Sequence, residues 1–67
     1  MQIRYDSAAD VLTLQVRDVP PYDAIEEAGG IIISYGEDKE PVSVEFLNAS
    51  ERGILVPGEL SVPLKTV

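Results

Sequence analysis

The side chains of this sequence that could do chemistry are carboxylates. It has twelve Asp and Glu residues but no His and no Cys. Without His, the chain lacks the side chain most used for proton transfer near neutral pH and the commonest metal ligand. Without Cys, it cannot use thiolate catalysis, cysteine zinc sites or disulfides. Catalysis or metal binding within one chain would therefore depend on carboxylates.

One carboxylate group could bind a divalent cation. Asp6 and Asp10 lie four residues apart and could act with Glu26 or Glu27, since hard cations take several oxygen ligands. The simpler interpretation is that the two aspartates cap the backbone of a turn. An EF-hand loop needs denser alternating ligands and a bidentate Glu at fixed spacing, and neither is present. We favour the turn, and predict no metal site and no cofactor.

A second arrangement would be that of a hydrolase with two carboxylates, for example Glu45 with Asp10. Such enzymes place one acid and one base or nucleophile on opposite sides of a scissile bond. No motif around either residue supports this chemistry. We therefore predict that the chain is not an enzyme and name no catalytic residue.

The charge of the chain points to a class of partner. Its formal net charge is −7, which repels phosphate backbones, and its basic residues are spread singly, so no nucleic-acid partner is predicted. A basic protein is the electrostatically favoured partner. The alternative is that the acidic loops are merely solvated and discourage aggregation of strand edges. The predicted partner-facing residues are the acidic ones of two loops: Glu26, Glu27, Glu37, Asp38 and Glu40.

The elements that must position these side chains begin with a hairpin. Apolar and polar residues alternate from Val11 to Arg17 and, more briefly, from Gln2 to Tyr5. This alternation is typical of half-buried strands. The polar residues 6–10 between them form a turn, and the two prolines at 20 and 21 require a loop after the second strand.

A second hairpin is predicted downstream. Residues 31–35 are strongly β, residues 36–40 are a polar turn, and apolar residues alternate again over 42–46. Residues 24–28 could be a helical turn or an extended segment, and we favour an edge strand. The aromatic side chains of these strands, Tyr5, Tyr35 and Phe46, are predicted to pack in the core.

The end of the chain carries helix signals and then an extended pattern. Asn48 is followed three positions later by Glu51, the spacing of a capping box. Gly53 suits the left-handed position after a helix, so we predict one turn, from about Ala49 to Arg52. The alternation of residues 60–64 predicts an extended C-terminal segment at a sheet edge or a subunit contact.

Two blocks of residues carry a family resemblance. Residues 5–14 read YDSAADVLTL and residues 30–50 read GIIISYGEDKEPVSVEFLNAS. They are similar to the YDxxADxLYI and GVIVDYDEDGxIVGIEILDAS segments of a small bacterial family, domain of unknown function 2283. The resemblance implies a small β-rich bacterial domain, suggested as an antitoxin-like partner of a small toxin, with no established catalytic residues. The departures from the pattern are chemically mild: Ser34, Gly36, Pro41 and Asn48.

The 67 residues predict a single small domain, 1–67, with a thin core. We predict a mainly β fold, α+β at most: one antiparallel β-meander of four to five strands with one short helical turn and the extended C-terminal segment. Some apolar residues fall on faces that a single sheet leaves exposed to solvent. We therefore expect a homodimer or small homo-oligomer. The interface candidates are Val11, Ile32, Leu55, Leu60 and Val62.

The expected location is cytoplasmic. The N-terminus lacks the basic start and apolar run of a signal peptide, and no segment approaches the roughly 20 apolar residues that span a bilayer. The sequence thus predicts an acidic, non-enzymatic interaction module that binds a basic protein. The alternatives are a structural homo-oligomer without a second ligand and a carboxylate-based metal binder or hydrolase.

Overall fold

The computed structural model describes residues 1–27 and 29–54, which build one five-stranded antiparallel β-sheet. No helix occurs in these residues, and the predicted mainly β fold class is confirmed. The strands are β1 (Gln2–Asp6), β2 (Val11–Gln15), β3 (Asp23–Glu27), β4 (Ile31–Tyr35) and β5 (Pro41–Leu47).

The strand order, β1-β2-β5-β4-β3, corrects the prediction of a consecutive meander. The β1–β2 hairpin joins a three-stranded meander, β3 to β5, because β2 pairs with β5. This pairing sets Leu12 opposite Phe46 and Leu14 opposite Val44, so the strands with the cleanest apolar faces lie centrally. Strand β3, exposed throughout and with three acidic residues, lies at the edge. It is the predicted edge strand of residues 24–28, of which Ala28 lies outside the described residues.

The apolar residues predicted to share a face do so. Residues directly opposite one another in neighbouring strands point to the same side, and the register aligns Tyr5, Leu12, Phe46 and Ile31 in one row. A second row contains the apolar residues Ile3, Leu14, Val44, Ile33 and Ile25. We call the side that carries these two rows the apolar face.

The core is thinner than predicted. In the described residues, the buried apolar side chains are Leu12, Val42 and Ala49. Tyr5, Tyr35 and Phe46, predicted to lie in the core, are half-buried. One sheet with no second layer over it in the described residues cannot enclose the side chains of either face. The apolar face is therefore partly exposed.

The turn after β5 differs from the predicted capping box. Asn48 has a φ of 55°, whereas an N-cap residue occupies the β region. Residues 48–53 form hydrogen-bonded turns, and Gly53, with a φ of 74°, takes the predicted left-handed position. The N–H of Ile54 reaches the carbonyl of Ala49, and the N–H of Gly53 that of Ser50, which is the Schellman pattern. The predicted C-terminal segment lies outside the described residues.

Candidate functional site

One of the two densest groups of side-chain hydrogen bonds in the described residues surrounds Asp10. Its carboxylate accepts a bond from the Tyr5 hydroxyl at 2.7 Å. It also accepts two from Ser50: the backbone N–H at 3.0 Å to Oδ1 and the hydroxyl at 2.8 Å to Oδ2. The carbonyl of Asp10 accepts the N–H of Ala49 at 3.0 Å. One residue thus joins β1, the β1–β2 turn and the turn after β5.

These contacts shift the pKa values of Asp10 and Tyr5 in opposite directions. The hydrogen bond from Tyr5, followed by those from Ser50, lowers the pKa of Asp10, because each stabilises the ionised carboxylate. The same bond to Asp10, with a smaller effect of desolvation, raises the pKa of Tyr5. The carboxylate stays ionised and the phenol stays neutral over a wide pH range, a pairing suited to holding a fold together.

Asp6, the other residue of the predicted turn, binds its own backbone. Its Oδ1 accepts the N–H groups of Ala8 at 3.0 Å and Ala9 at 3.2 Å. This is the capping role favoured from the sequence. No group of three or more acidic residues that could hold a metal ion occurs in residues 1–27 and 29–54.

The carboxylates considered for a hydrolase are not brought together. Glu45 lies in β5 opposite Thr13 and Ile32, on the face of the sheet away from Phe46. It lines a groove with Arg4 and Thr13 that does not include Asp10. The structure therefore supports a structural role for Asp10, not one beside a second carboxylate.

The predicted partner-facing residues form two exposed groups, one on the edge strand β3 and one in the β4–β5 turn. Glu26 and Glu27 are exposed on β3, and Glu37, Asp38 and Glu40 are exposed in the β4–β5 turn. Strand β3 begins opposite Tyr35, the last residue of β4 before that turn. The turn therefore adjoins the Asp23 end of β3, whereas Glu26 and Glu27 lie at the other end, opposite Ile32 and Ile31. We call β3 and this turn together the acidic edge.

Asp38 already has a cationic partner within the chain. Its carboxylate binds the Arg17 guanidinium through two hydrogen bonds of 2.9 Å. Arg17 also donates to the carbonyls of Pro41 and Glu40. The bonds from Arg17 lower the pKa of Asp38, and those to Asp38 raise the pKa of Arg17. The sequence did not predict this ion pair, because no local pattern connects residues 21 positions apart.

A second arginine closes the turn after β5. The Arg52 guanidinium donates to the carbonyl of Leu47 at 2.9 Å and also to the carbonyl of Gly29. It lies against Gly30, whose φ of 102° is far from the left-handed α well open to L-residues. A Cβ at Gly30 would lie 2.8 Å from the Arg52 guanidinium. This close approach fixes the last described turn against the start of β4.

The interface candidates are placed only in part. Val11 and Ile32 are half-buried, opposite Leu47 and Glu45 respectively, on the face away from Phe46. Leu55, Leu60 and Val62 lie outside the described residues. The larger apolar area is the apolar face, which includes exposed Ile3 and Ile25 and which the list of candidates omitted.

Two grooves meet at Tyr22, just before β3. One is lined by Arg17, Asp38 and the loop of residues 19–22. The other, of about 310 Å³, is lined by Tyr22 and Tyr35 with charged and aliphatic neighbours. Sequence reasoning did not single out Tyr22, because its position beside Tyr35 depends on the pairing of β3 with β4.

Comparisons with known proteins agree with the motifs. No curated protein and no solved structure matches the chain. The described residues contain no helix long and apolar enough to cross a bilayer. The model of the family described as "Protein of unknown function (DUF2283)" matches residues 2–50, which end at the serine that Asp10 binds. The chain belongs to that family.

Proposed function

We propose that this protein is a non-enzymatic interaction module whose acidic edge binds a basic protein partner. The observation that carries the proposal is the exposure of strand β3 along its whole length, with Asp23, Glu26 and Glu27 among its five residues. An edge strand presents unpaired backbone groups as well as side chains. An acidic edge therefore attracts basic chains and repels other copies of this one.

The surrounding surface supports the proposal. Glu37 and Glu40 extend the same edge into the β4–β5 turn. The formal net charge of −7 adds a long-range attraction for cationic proteins. The antitoxin-like role suggested for the family fits this proposal, with a small basic toxin, encoded nearby, as the partner class.

The experiment is copurification with the product of the neighbouring gene, followed by titration of the two purified proteins. We expect binding at low salt that weakens as salt is added, because exposed charges are screened. The double variant E26Q/E27Q should weaken binding. The matched control D6N/E51Q removes two exposed acidic charges, one on β1 at the opposite edge of the sheet and one in the turn after β5, and should retain most of the affinity. No binding at low salt would refute the proposal for this partner.

A structural homo-oligomer is the second candidate, and the half-exposed apolar face favours it. Two copies packed face to face would remove apolar surface from water on both. Light scattering across a range of concentrations tests this candidate, together with the dependence of Tm on protein concentration. A monomer at every concentration, with a constant Tm, would exclude it.

A further inference from the structure

The groove beside Tyr22 has the composition of a recognition site for one side chain. Its volume of about 310 Å³ is at the lower end of the range for small-ligand sites. Its walls combine two tyrosines, one aliphatic side chain and three charged side chains. Besides Gly36, the lining residues are Tyr22, Asp23, Ile25, Tyr35, Glu37 and Lys39.

The fold assembles this groove from the start of β3 and the end of β4. The N–H of Tyr22 donates to the carbonyl of Tyr35 at 2.7 Å, which holds the two tyrosines side by side in the backbone. Asp23 is the register partner of Tyr35. Two prolines directly before Tyr22 restrict the backbone that leads into the groove.

Tyr22 is 73% exposed, so its ring is accessible to a ligand. Tyr35 is half-buried and forms the inner wall. Ring faces carry partial negative charge and attract ammonium and guanidinium groups placed over them. The Asp23 carboxylate uses Oδ1 to accept the N–H of Ala24, which leaves Oδ2 for an incoming donor.

We propose that this groove binds an arginine or lysine side chain of a protein partner, between the tyrosine rings and the carboxylates of Asp23 and Glu37. The inference rests on the proposed function, and it locates the contact within the acidic edge. Charge complementarity supports a cation as the occupant, since two carboxylates face one ammonium, that of Lys39, in a chain of net charge −7. Lys39 is then a competitor for the site.

The test uses a short blocked peptide with one arginine, and the same peptide with citrulline, which keeps the shape but lacks the charge. Amide chemical shifts in ¹H–¹⁵N spectra report where each peptide binds. We expect the arginine peptide to shift the amides of Tyr22, Asp23 and Ile25, and the citrulline peptide to leave them unchanged. Equal shifts with both peptides, or none with either, would overturn the inference.

Variants test the roles of the lining residues. Tyr22→Ala should weaken binding of the arginine peptide about threefold or more, and Tyr22 is too exposed for the fold to depend on it. Asp23→Asn should also weaken it. Lys39→Asn should strengthen it, because the competing ammonium is lost while Asn tolerates the left-handed φ of 67° at this position. Weaker binding of the arginine peptide by Lys39→Asn would show that Lys39 supports the groove and does not compete for it, which would overturn the inference.

Glu26→Gln is the matched control for Asp23→Asn. Both remove one carboxylate from β3, but Glu26 does not line the groove. Equal losses of affinity in the two variants would show that the overall negative charge of the acidic edge attracts the peptide. That result would overturn the inference about the groove and leave the proposed function intact. If the arginine peptide binds but the neighbouring gene product does not, the inference about the groove stands and that protein is rejected as the partner.

Discussion

Asp10 binds Ser50 across 40 positions of the chain, and the Ser50 hydroxyl donates to its Oδ2 at 2.8 Å. The backbone N–H of Ser50 donates to the same carboxylate. Asp10 lies in the first of the two blocks that carry the family resemblance, and Ser50 ends the second. These blocks therefore meet at a contact that joins the β1–β2 turn to the turn after β5.

The Asp10–Ser50 contact should behave as one unit in a double-mutant cycle. Asp10→Ala and Ser50→Ala should each lower the urea midpoint, and the double variant should be no less stable than Asp10→Ala, because the hydroxyl then has no carboxylate to bind. The control Ser7→Ala, exposed in the same turn, should change the free energy of unfolding by about 0.5 kcal/mol or less. Fully additive effects would show that the two residues act independently.

Stability should fall on acidification partly through Asp10. Its folded-state pKa is lowered, so its contribution is fully present above the unfolded value of about 3.9 and is lost as pH falls through the folded pKa. Urea unfolding at a series of pH values below 5 should show a smaller loss of stability in Asp10→Asn than in the native protein. An identical pH dependence in both would contradict the role of Asp10.

Tyr5 should make the protein less stable as the pH rises into the alkaline range. Its folded-state pKa is raised, so its contribution is present below the unfolded value of about 10 and is lost as pH rises through the folded pKa. Absorbance titration of the three tyrosines should show a late ionisation that Tyr5→Phe removes. The control Tyr22→Phe should leave that late step in place.

The buried part of the apolar face should dominate stability. Leu12 is 8% exposed in the interior strand β2, whereas Ile25 is 46% exposed on the edge strand β3. Leu12→Ala should lower the free energy of unfolding by about 3 kcal/mol, and Ile25→Ala by about 1 kcal/mol or less. Chemical denaturation measures both. Similar losses would indicate that Ile25 is covered in solution, as a homo-oligomer packed on this face would require.

Lys39 should be suboptimal for its turn. The N–H of Lys39 reaches the carbonyl of Gly36, and the N–H of Gly36 reaches that of Glu40, which places left-handed Lys39 where such three-residue hairpin loops favour glycine. Lys39→Gly should raise the free energy of unfolding by about 1 kcal/mol. Glu37→Gly, at a position in the same turn without positive φ, should instead lower it by about 0.5 to 1 kcal/mol.

Local patterns predicted most of the strands. The alternation around Leu12 and Val44 and the turn residues between strands are properties of neighbouring residues, so the sequence shows them directly. The left-handed Gly53 followed from the same local logic. Local patterns did not predict the strand order, because the pairing of β2 with β5 depends on apolar faces of segments distant in the chain. The capping box was wrong for a related reason: Asp10, not Asn48, accepts the N–H of Ser50.

The sequence by itself determined the acidic charge, the absence of His and Cys chemistry, and which residues share a face of a strand, since these depend only on composition and period. Only the tertiary structure decided that Asp10 binds Ser50 and that Arg17 forms an ion pair with Asp38. It also decided that Tyr22 lies beside Tyr35 at one groove. Each of these contacts joins residues distant in the chain. The first two depend on the pairing of β2 with β5, and the third on the pairing of β3 with β4. Such pairings are set by side-chain contacts between strands.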